Sequence, residues 1–363
     1  MRRVYSAEDV RVIVDRAEVR SPATLRVERS VGALADEFRV SIPNRGGEHT
    51  ALFRSTDGKR IDVELGGRVR FRGFCDEARF RALPEPSVEL VGRDFSGLLI
   101  DEVVSDSLAQ AISGGVASTA VTRIARAFGM TADADRTSRV LRSEGFAPGT
   151  SVWAVVSELA EREGFDAYVT PERVLCFKRR VLPSRPSRVV FVPAARGGVA
   201  VPEGAVAPTS LEVYTAKTLA LGLKVRVTGY DAARSRSISY TAESKKRNRP
   251  NYRVVEIVDR GLSTKAAVVA RAVAALEEIS KGLVTGSYSC AVDGELEPGQ
   301  AIDLRFGDAA YSALGGVYFV TKVVDELGGD GSFTTDVEFA SRPLVDAHTE
   351  ELERATATKA IPL

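Results

Sequence analysis

Between Val88 and Asp101 the chain changes from one kind of pattern to another. Val88, Leu90 and Val91 begin a strand, Gly92 turns it, and Asp94 or Ser96 can cap a helix ahead of Leu98, Leu99 and Ile100. Everything before this joint reads as short strands with tight turns, and the segment directly after it is helical. The joint therefore ties a β-domain to an α-containing one, and 363 residues leave room for two or three domains.

The strand reading rests on period-two alternation, which sets one face of each strand on a core and the other toward water or a partner. Val10, Val12 and Val14 alternate, as does Phe38–Ile42 before Pro43-Asn44 stops it. The clearest hairpin is Ile61–Leu65, Gly66-Gly67, Arg68–Arg72, with the two glycines supplying the positive φ of a tight turn. Ile61, Val63, Leu65, Val69 and Phe71 face one way. Asp62 and Glu64 on one arm, with Arg68, Arg70 and Arg72 on the other, face the opposite way. Opposed acid and base rows stabilise a hairpin by roughly 0.2–1 kcal/mol per pair. Such a face is a solvated surface, or the lining of a channel or a subunit contact.

After Asp101, Ser118 is expected to cap a helix with Val121, Ile124, Ala125 and Phe128 on one stripe, ending at Gly129. Ser151 caps a second, with Val152, Val155, Val156 and Leu159 aligned and Gly164 as its stop; Trp153 anchors the helix–sheet edge. Strands come next at Phe165–Val169 and Val174–Lys178. Residues 183–208, punctuated by prolines and glycines, read as a loose connection. Strands resume at Leu223–Tyr230, Ser237–Thr241 and Val254–Val258, then an alanine-rich helix from Ser263 to about Lys281. The last strands are Leu283–Val292, Ala301–Phe306, Val317–Val324 and Phe333–Phe339. The layout is α+β and mainly β. No repeat shows at residue level, although the two strand groups share size and hairpin pattern.

No catalytic constellation stands out. Two histidines, His49 and His348, sit in loop or tail contexts, and no nucleophile elbow, zinc-protease helix, phosphate loop or dinucleotide fingerprint occurs. Cys75, Cys176 and Cys290 are far apart and read as buried small hydrophobes, with neither a disulfide framework nor a metal site implied. No catalytic, cofactor or metal residue is assigned. The near-cancelling 50 basic and 49 acidic residues give no global support for a membrane surface or nucleic acid. The run Lys245–Arg249 reads as a solvated loop. The first residues lack the apolar run of a signal peptide, so synthesis in the cytoplasm is expected.

Three stretches together resemble a known family: LRVERSVGALADEFRVSI at Leu25–Ile42, Gly73-Phe74 with VELVGRDFSGLLID after it, and VRVTGYDAARSRSISYTAES with the later helix and the strands GVYFVTKVVDEL. They are similar to the baseplate hub proteins of contractile phage tails and injection systems: the Mu-like hub, the late control D family and the N-terminal part of VgrG spikes. The resemblance implies two tail-tube-like β-barrels with inserted α/β domains. Residues 1–95 would be the first barrel, 96–182 an α/β domain, and 183–208 a connection. Residues 209–241 with 286–343 would be the second barrel, 242–285 a helical insertion, and 344–363 a tail. It further implies a homotrimeric ring of pseudo-six-fold symmetry, partnered by a tail tube protein, a spike protein and other baseplate components, in a virion or injection particle. Asp62, Glu64, Arg68, Arg70 and Arg72 are the interface or lumen candidates. A tail-associated cell-wall hydrolase is the competing reading, and a DNA-binding regulator using Lys245–Arg249 the next.

Overall fold

The computed structural model describes residues 5–341, apart from 21, 33–34, 55–57, 138–140, 142–148, 180–184, 195–199, 216–222, 244–252 and 282–283. The basic run Lys245–Arg249, His348 and the expected tail lie outside the described residues.

The N-terminal strands are β1 (Val10–Val14), β2 (Ala17–Arg20), β3 (Thr24–Ser30), β4 (Glu37–Pro43), β5 (Arg60–Leu65), β6 (Arg68–Arg81) and β7 (Ser87–Asp94). β8 (Thr131–Ala134), β9 (Phe165–Val169) and β10 (Val174–Arg179) form a separate small sheet. Then come β11 (Arg188–Val192), β12 (Ser210–Thr215), β13 (Leu223–Asp231), β14 (Arg236–Glu243) and β15 (Arg253–Val258). The last are β16 (Val284–Ala291), β17 (Ala301–Phe306), β18 (Gly316–Leu327) and β19 (Phe333–Ser341). The helices are α1 (Thr50–Phe53), α2 (Gly97–Asp101), α3 (Asp106–Ile112), α4 (Ala117–Ala127), α5 (Val152–Glu163) and α6 (Lys265–Lys281).

Both strand groups belong to one thirteen-stranded sheet in the order β12-β16-β19-β18-β3-β4-β7-β6-β5-β1-β2, with β17 bonded to β18 and β11 to β17. The halves meet where β3 pairs antiparallel with the distal part of β18, Leu25 opposite Leu327 and Arg26 opposite Glu326. Each half keeps its own core. Val12, Phe38, Val40, Ile61, Phe71 and Leu90 belong to one, and Tyr288, Leu304, Val320, Val337 and Phe339 to the other.

The helical block packs Val121, Ile124, Val152, Val155 and Val156 against Phe177 and Leu175 of the small sheet, with Trp153 buried among them. Ser151 accepts a hydrogen bond from the Ala154 amide and Gly164 takes φ 70°, so both ends of α5 are where the sequence sets them. α4 begins at Ala117, one residue ahead of the expected cap. Ser118 lies inside the first turn and is spent on Thr137, their backbone and hydroxyl groups bonding reciprocally.

Two stretches differ from the sequence reading. Val190 sits in the core, and β11 runs parallel to β17 within the expected loose connection, because RVVFV is a short apolar run that can be buried on both faces. The 209–241 stretch is divided. β12 joins the large sheet, whereas β13 and β14 form a three-stranded sheet with β15, since Leu223, Val225 and Val227 bury against Val268, Ala272 and Leu276 of α6.

Candidate functional site

The charged hairpin is present, but its five residues divide. Asp62 lies opposite Arg72 with Oδ2 3.0 Å from Nε, and both are partly buried. Glu64 is opposite Arg11, which also grips Glu18 at 2.9 Å, so the acid row is neutralised across β2, β1 and β5. Arg72 reaches toward the Pro171 carbonyl in the helical block, and Arg68 is exposed beside the Gly-Gly turn. Arg70 is the correction. The register shifts between Val63 and Glu64, pairing Val63 with Phe71 and Glu64 with Val69, so Arg70 is the extra residue of a β-bulge. The bulge turns it inward, and its side chain is only 2% exposed.

Arg70 enters a buried ion cluster that joins the two halves. Its Nη2 lies 3.1 Å from Asp325 Oδ2 on β18 and donates to the Leu296 carbonyl at 3.0 Å. Arg29 of β3 meets the same carboxylate oxygen at 2.8 Å, and both arginines contact Glu297. The other oxygen of Asp325 accepts from Thr335 Oγ1 at 2.8 Å, and Thr335 in turn accepts from the Asp293 amide. Asp293 holds Arg188 at 3.0 Å. Burial pushes the Arg70 guanidinium down from its ordinary value, with Arg29 adding repulsion, while the two carboxylates oppose the shift. Two cations from one half and two anions from the other are thus paired and hydrogen-bonded, the condition under which buried charge is tolerated.

The opposite face of the same sheet is mostly polar across eight consecutive strands, with Val91 and the buried Val324 among its apolar members. Alternation sends Val323, Asp325 and Leu327 inward and Lys322 and Glu326 outward, and its neighbours obey the same phase. Arg79 is opposite Glu89, Arg39 opposite Arg26, Arg26 opposite Glu326, Lys322 opposite Glu338, and Ser287 opposite Glu212. Ion pairs stitch this face: Arg26–Glu326 at 2.6 Å, Lys322–Glu28 at 2.5 Å and Arg39–Glu89 at 3.6 Å. The pairs Arg26–Glu326 and Lys322–Glu28 bridge the two halves on this side, as the buried cluster does on the other. Sequence reading missed this face because its charges are spread over strands far apart in the chain, although the alternation in FRVSI and KVVDEL signals it.

The Val88–Asp101 joint stays in the strand through Gly92, pairing with Phe38 and Cys75, and turns only after Asp94. The Asp94 carboxylate accepts from the backbone and hydroxyl of Ser96. Arg93 binds Asp76 and Asp101 through two nitrogens each, clamping α2 onto β6. Burial pushes Asp94 up to about 7, and burial together with Asp94 pushes Asp36 well above the usual carboxylate range.

Among the described residues no group of three His, Cys, Asp or Glu side chains is placed to hold a metal ion, and no helix is long and apolar enough to cross a membrane. Cys75, Cys176 and Cys290 are buried. His49 opens α1 with its ring centroid 6.1 Å from that of Phe53.

No protein-family model matches the sequence, and no curated protein matches it. Solved structures do. A tail protein from Neisseria meningitidis superposes with a TM-score of 0.72 at 16% identity, covering 95% of this chain and 99% of that one. The 43 kDa tail protein of prophage MuSo2 from Shewanella oneidensis gives 0.67 at 12%, covering 93% and 98%. An E. coli type VI secretion component, described as similar to T4 bacteriophage tail proteins, gives 0.52 at 12%, covering 88% and 75%. The chain has the fold of phage tail proteins. Within that class its neighbours include injection-system components, in agreement with the baseplate hub and spike type that the sequence resembles.

Proposed function

We propose that the protein is the structural baseplate hub of a contractile tail or injection particle. Three chains form a ring that joins a six-fold tail tube to a three-fold spike. The eight-strand polar face carries this reading. Each half of the chain contributes a tube-like unit built on four of those strands, and the faces together line the channel. A stack of this kind needs a wall apolar on its outer side, polar on its inner side and rigid at the seam between unlike halves. The Arg29–Arg70–Asp325–Glu297 cluster and the Arg26–Glu326 pair supply such a seam. The neighbours' description as tail proteins supports a structural role without catalysis. The chains would be made in the cytoplasm and assembled into the particle there. Tail tube, spike and further baseplate proteins are its partners.

The test is the solution mass of the purified full chain by light scattering, with electron-microscopic class averages to accompany it. A particle of three times the chain mass with six-fold-looking end views is expected. A peptidoglycan zymogram that clears with this protein would instead favour the cell-wall hydrolase.

A further inference from the structure

The two halves of the large sheet are built on one plan, visible in hydrogen-bond register where it is invisible in residue identity. β18 is a long strand whose register shifts between Val320 and Lys322. Its first part bonds β17 and its last part, Lys322–Leu327, bonds β3. β6 is also long, and its register shifts between Cys75 and Glu77. Its first part bonds β5 along Arg68–Phe74. Its last part, Glu77–Arg81, bonds β7 on one side, and among the described strands nothing pairs with its outer edge. The shifts superimpose Ala78 on Val323 and Phe80 on Asp325.

The same superposition runs through the neighbouring strands. Leu90 falls on Val337 and Gly92 on Phe339, Phe38 on Gly286, then Val27 on Val213 and Leu25 on Leu211. Even a packing detail is shared with its parts exchanged. A side chain on Gly92 would meet the Phe38 ring, and one on Gly286 would meet the Phe339 ring. So β12 is to the second half what β3 is to the first. β3 has its partner, the distal part of β18. β12 is the terminal strand of the sheet path, and its counterpart, the distal edge of β6, lies at the far side of the eight strands.

We propose that β12 of one copy pairs antiparallel with the outer edge of distal β6 in a second copy, with Glu212 opposite Arg81 and Val213 opposite Phe80. The assignment rests on the proposed ring and deepens it by naming the joining strands. Four observations select this occupant. Direction comes first: every pair from β12 to β6 is antiparallel and the strands number eight, so the two edges run oppositely and rotation of one copy onto the next makes an antiparallel joint. The faces agree, because Val213 and Phe80 both lie on the core side while Glu212 and Arg81 lie on the polar side. Charge agrees with exchanged sign: the internal joint sets Arg26 against Glu326 at 2.6 Å, and the same step here sets Glu212 against Arg81. Exposure agrees too, since Phe80 is 47% and Tyr214 64% exposed on edges that an added strand would cover.

The experiment uses the purified full chain at the highest concentration it tolerates. Val213→Cys combined with Phe80→Cys is oxidised and run without reductant. Directly opposed strand residues sit within the Cα spacing a disulfide accepts. Disulfide-linked dimers and trimers are expected from the double variant. Val213→Cys combined with Arg81→Cys, whose side chains leave opposite faces, gives none. Glu212→Arg is expected to abolish assembly, and Glu212→Arg with Arg81→Glu to restore it. A ring of wild-type mass that neither cross-links nor responds to these reversals overturns the joint and leaves the ring standing. Protein that stays monomeric and uncross-linked throughout overturns both.

Discussion

Arg70 Nη2 lies 3.1 Å from Asp325 Oδ2, although the two residues are 255 positions apart in the chain. Both side chains are buried, and Arg29 shares the same carboxylate. The contact is the closest thing in this molecule to a keystone, because it fixes one half of the sheet against the other. Asp325→Ala leaves two buried guanidiniums short of their shared anion. The expected loss is about 3–5 kcal/mol, the cost of uncompensated buried charge. Arg70→Met is expected to cost less, since Asp325 keeps Arg29. Chemical denaturation of the two variants checks the order; equal midpoints would refute it.

Gly92 is fixed by its neighbours. A Cβ there would press into the Phe74 carbonyl oxygen and lie 2.5 Å from Phe38 Cε1. Backbone cannot yield as a flexible side chain can, so Gly92→Ala is expected to destabilise by about 2–3 kcal/mol, the range of overpacking. Phe38→Ala relieves only the ring contact and should not rescue it. A thermal melt of the single and double variants decides the point.

The hairpin Ile61–Arg72 offers a cleaner experiment once Arg70 is set aside. Reversing Arg70 would place an acid beside Asp325 and unfold the seam, which says nothing about a partner. Arg68→Glu with Arg72→Gln keeps the core intact and sets no new acid beside Asp62. The Asp62–Arg72 pair is partly exposed, so its loss should cost under about 1 kcal/mol. If the hairpin contacts a partner, this variant keeps its melting midpoint and loses incorporation into particles. Unchanged incorporation would assign the row to solvent.

Local patterns were readable in the sequence where a local cause acts. Ser151 and Gly164 bound α5, and Gly66-Gly67 closes the expected hairpin turn, because capping and turn chemistry depend on a few adjacent residues. Arg70 was misplaced because a bulge breaks alternation without changing it in the letters. β12 was missed for a related reason: SLEVYT is half exposed, and an edge strand gains its place from β16 and not from its own composition. The matching size and hairpin pattern of the two strand groups pointed to a duplicated plan, but no residue-level repeat shows it, because the halves exchange partners. Where one has Phe38 and Gly92, the other has Gly286 and Phe339. The polar face was the least legible, since its pairs join residues as distant as Arg26 and Glu326.

The Asp36–Asp94 pair makes stability depend on pH in the unusual direction. Burial raises Asp94 to about 7, and burial with the nearby Asp94 charge raises Asp36 well above 3.8. For a carboxyl whose folded-state value exceeds its unfolded one, the contribution is full below about pH 4 and is lost as pH rises through about 7. Glu28, Asp101 and Glu295 act oppositely. Lys322 and Arg26 outweigh burial at Glu28, and Arg93 and Arg188 hold the other two down. Their contributions are lost as pH falls through their folded-state values, below the ordinary range. Between pH 5 and 8 the aspartate pair therefore sets the slope. Asp94→Asn keeps an acceptor for Ser96 and removes the ionisation. It should be close to neutral at pH 4.5 and stabilising at pH 8 by on the order of 1–3 kcal/mol. Urea midpoints at the two pH values read this directly, and a gain that is the same at both would show that Asp94 acts through packing and not through its charge.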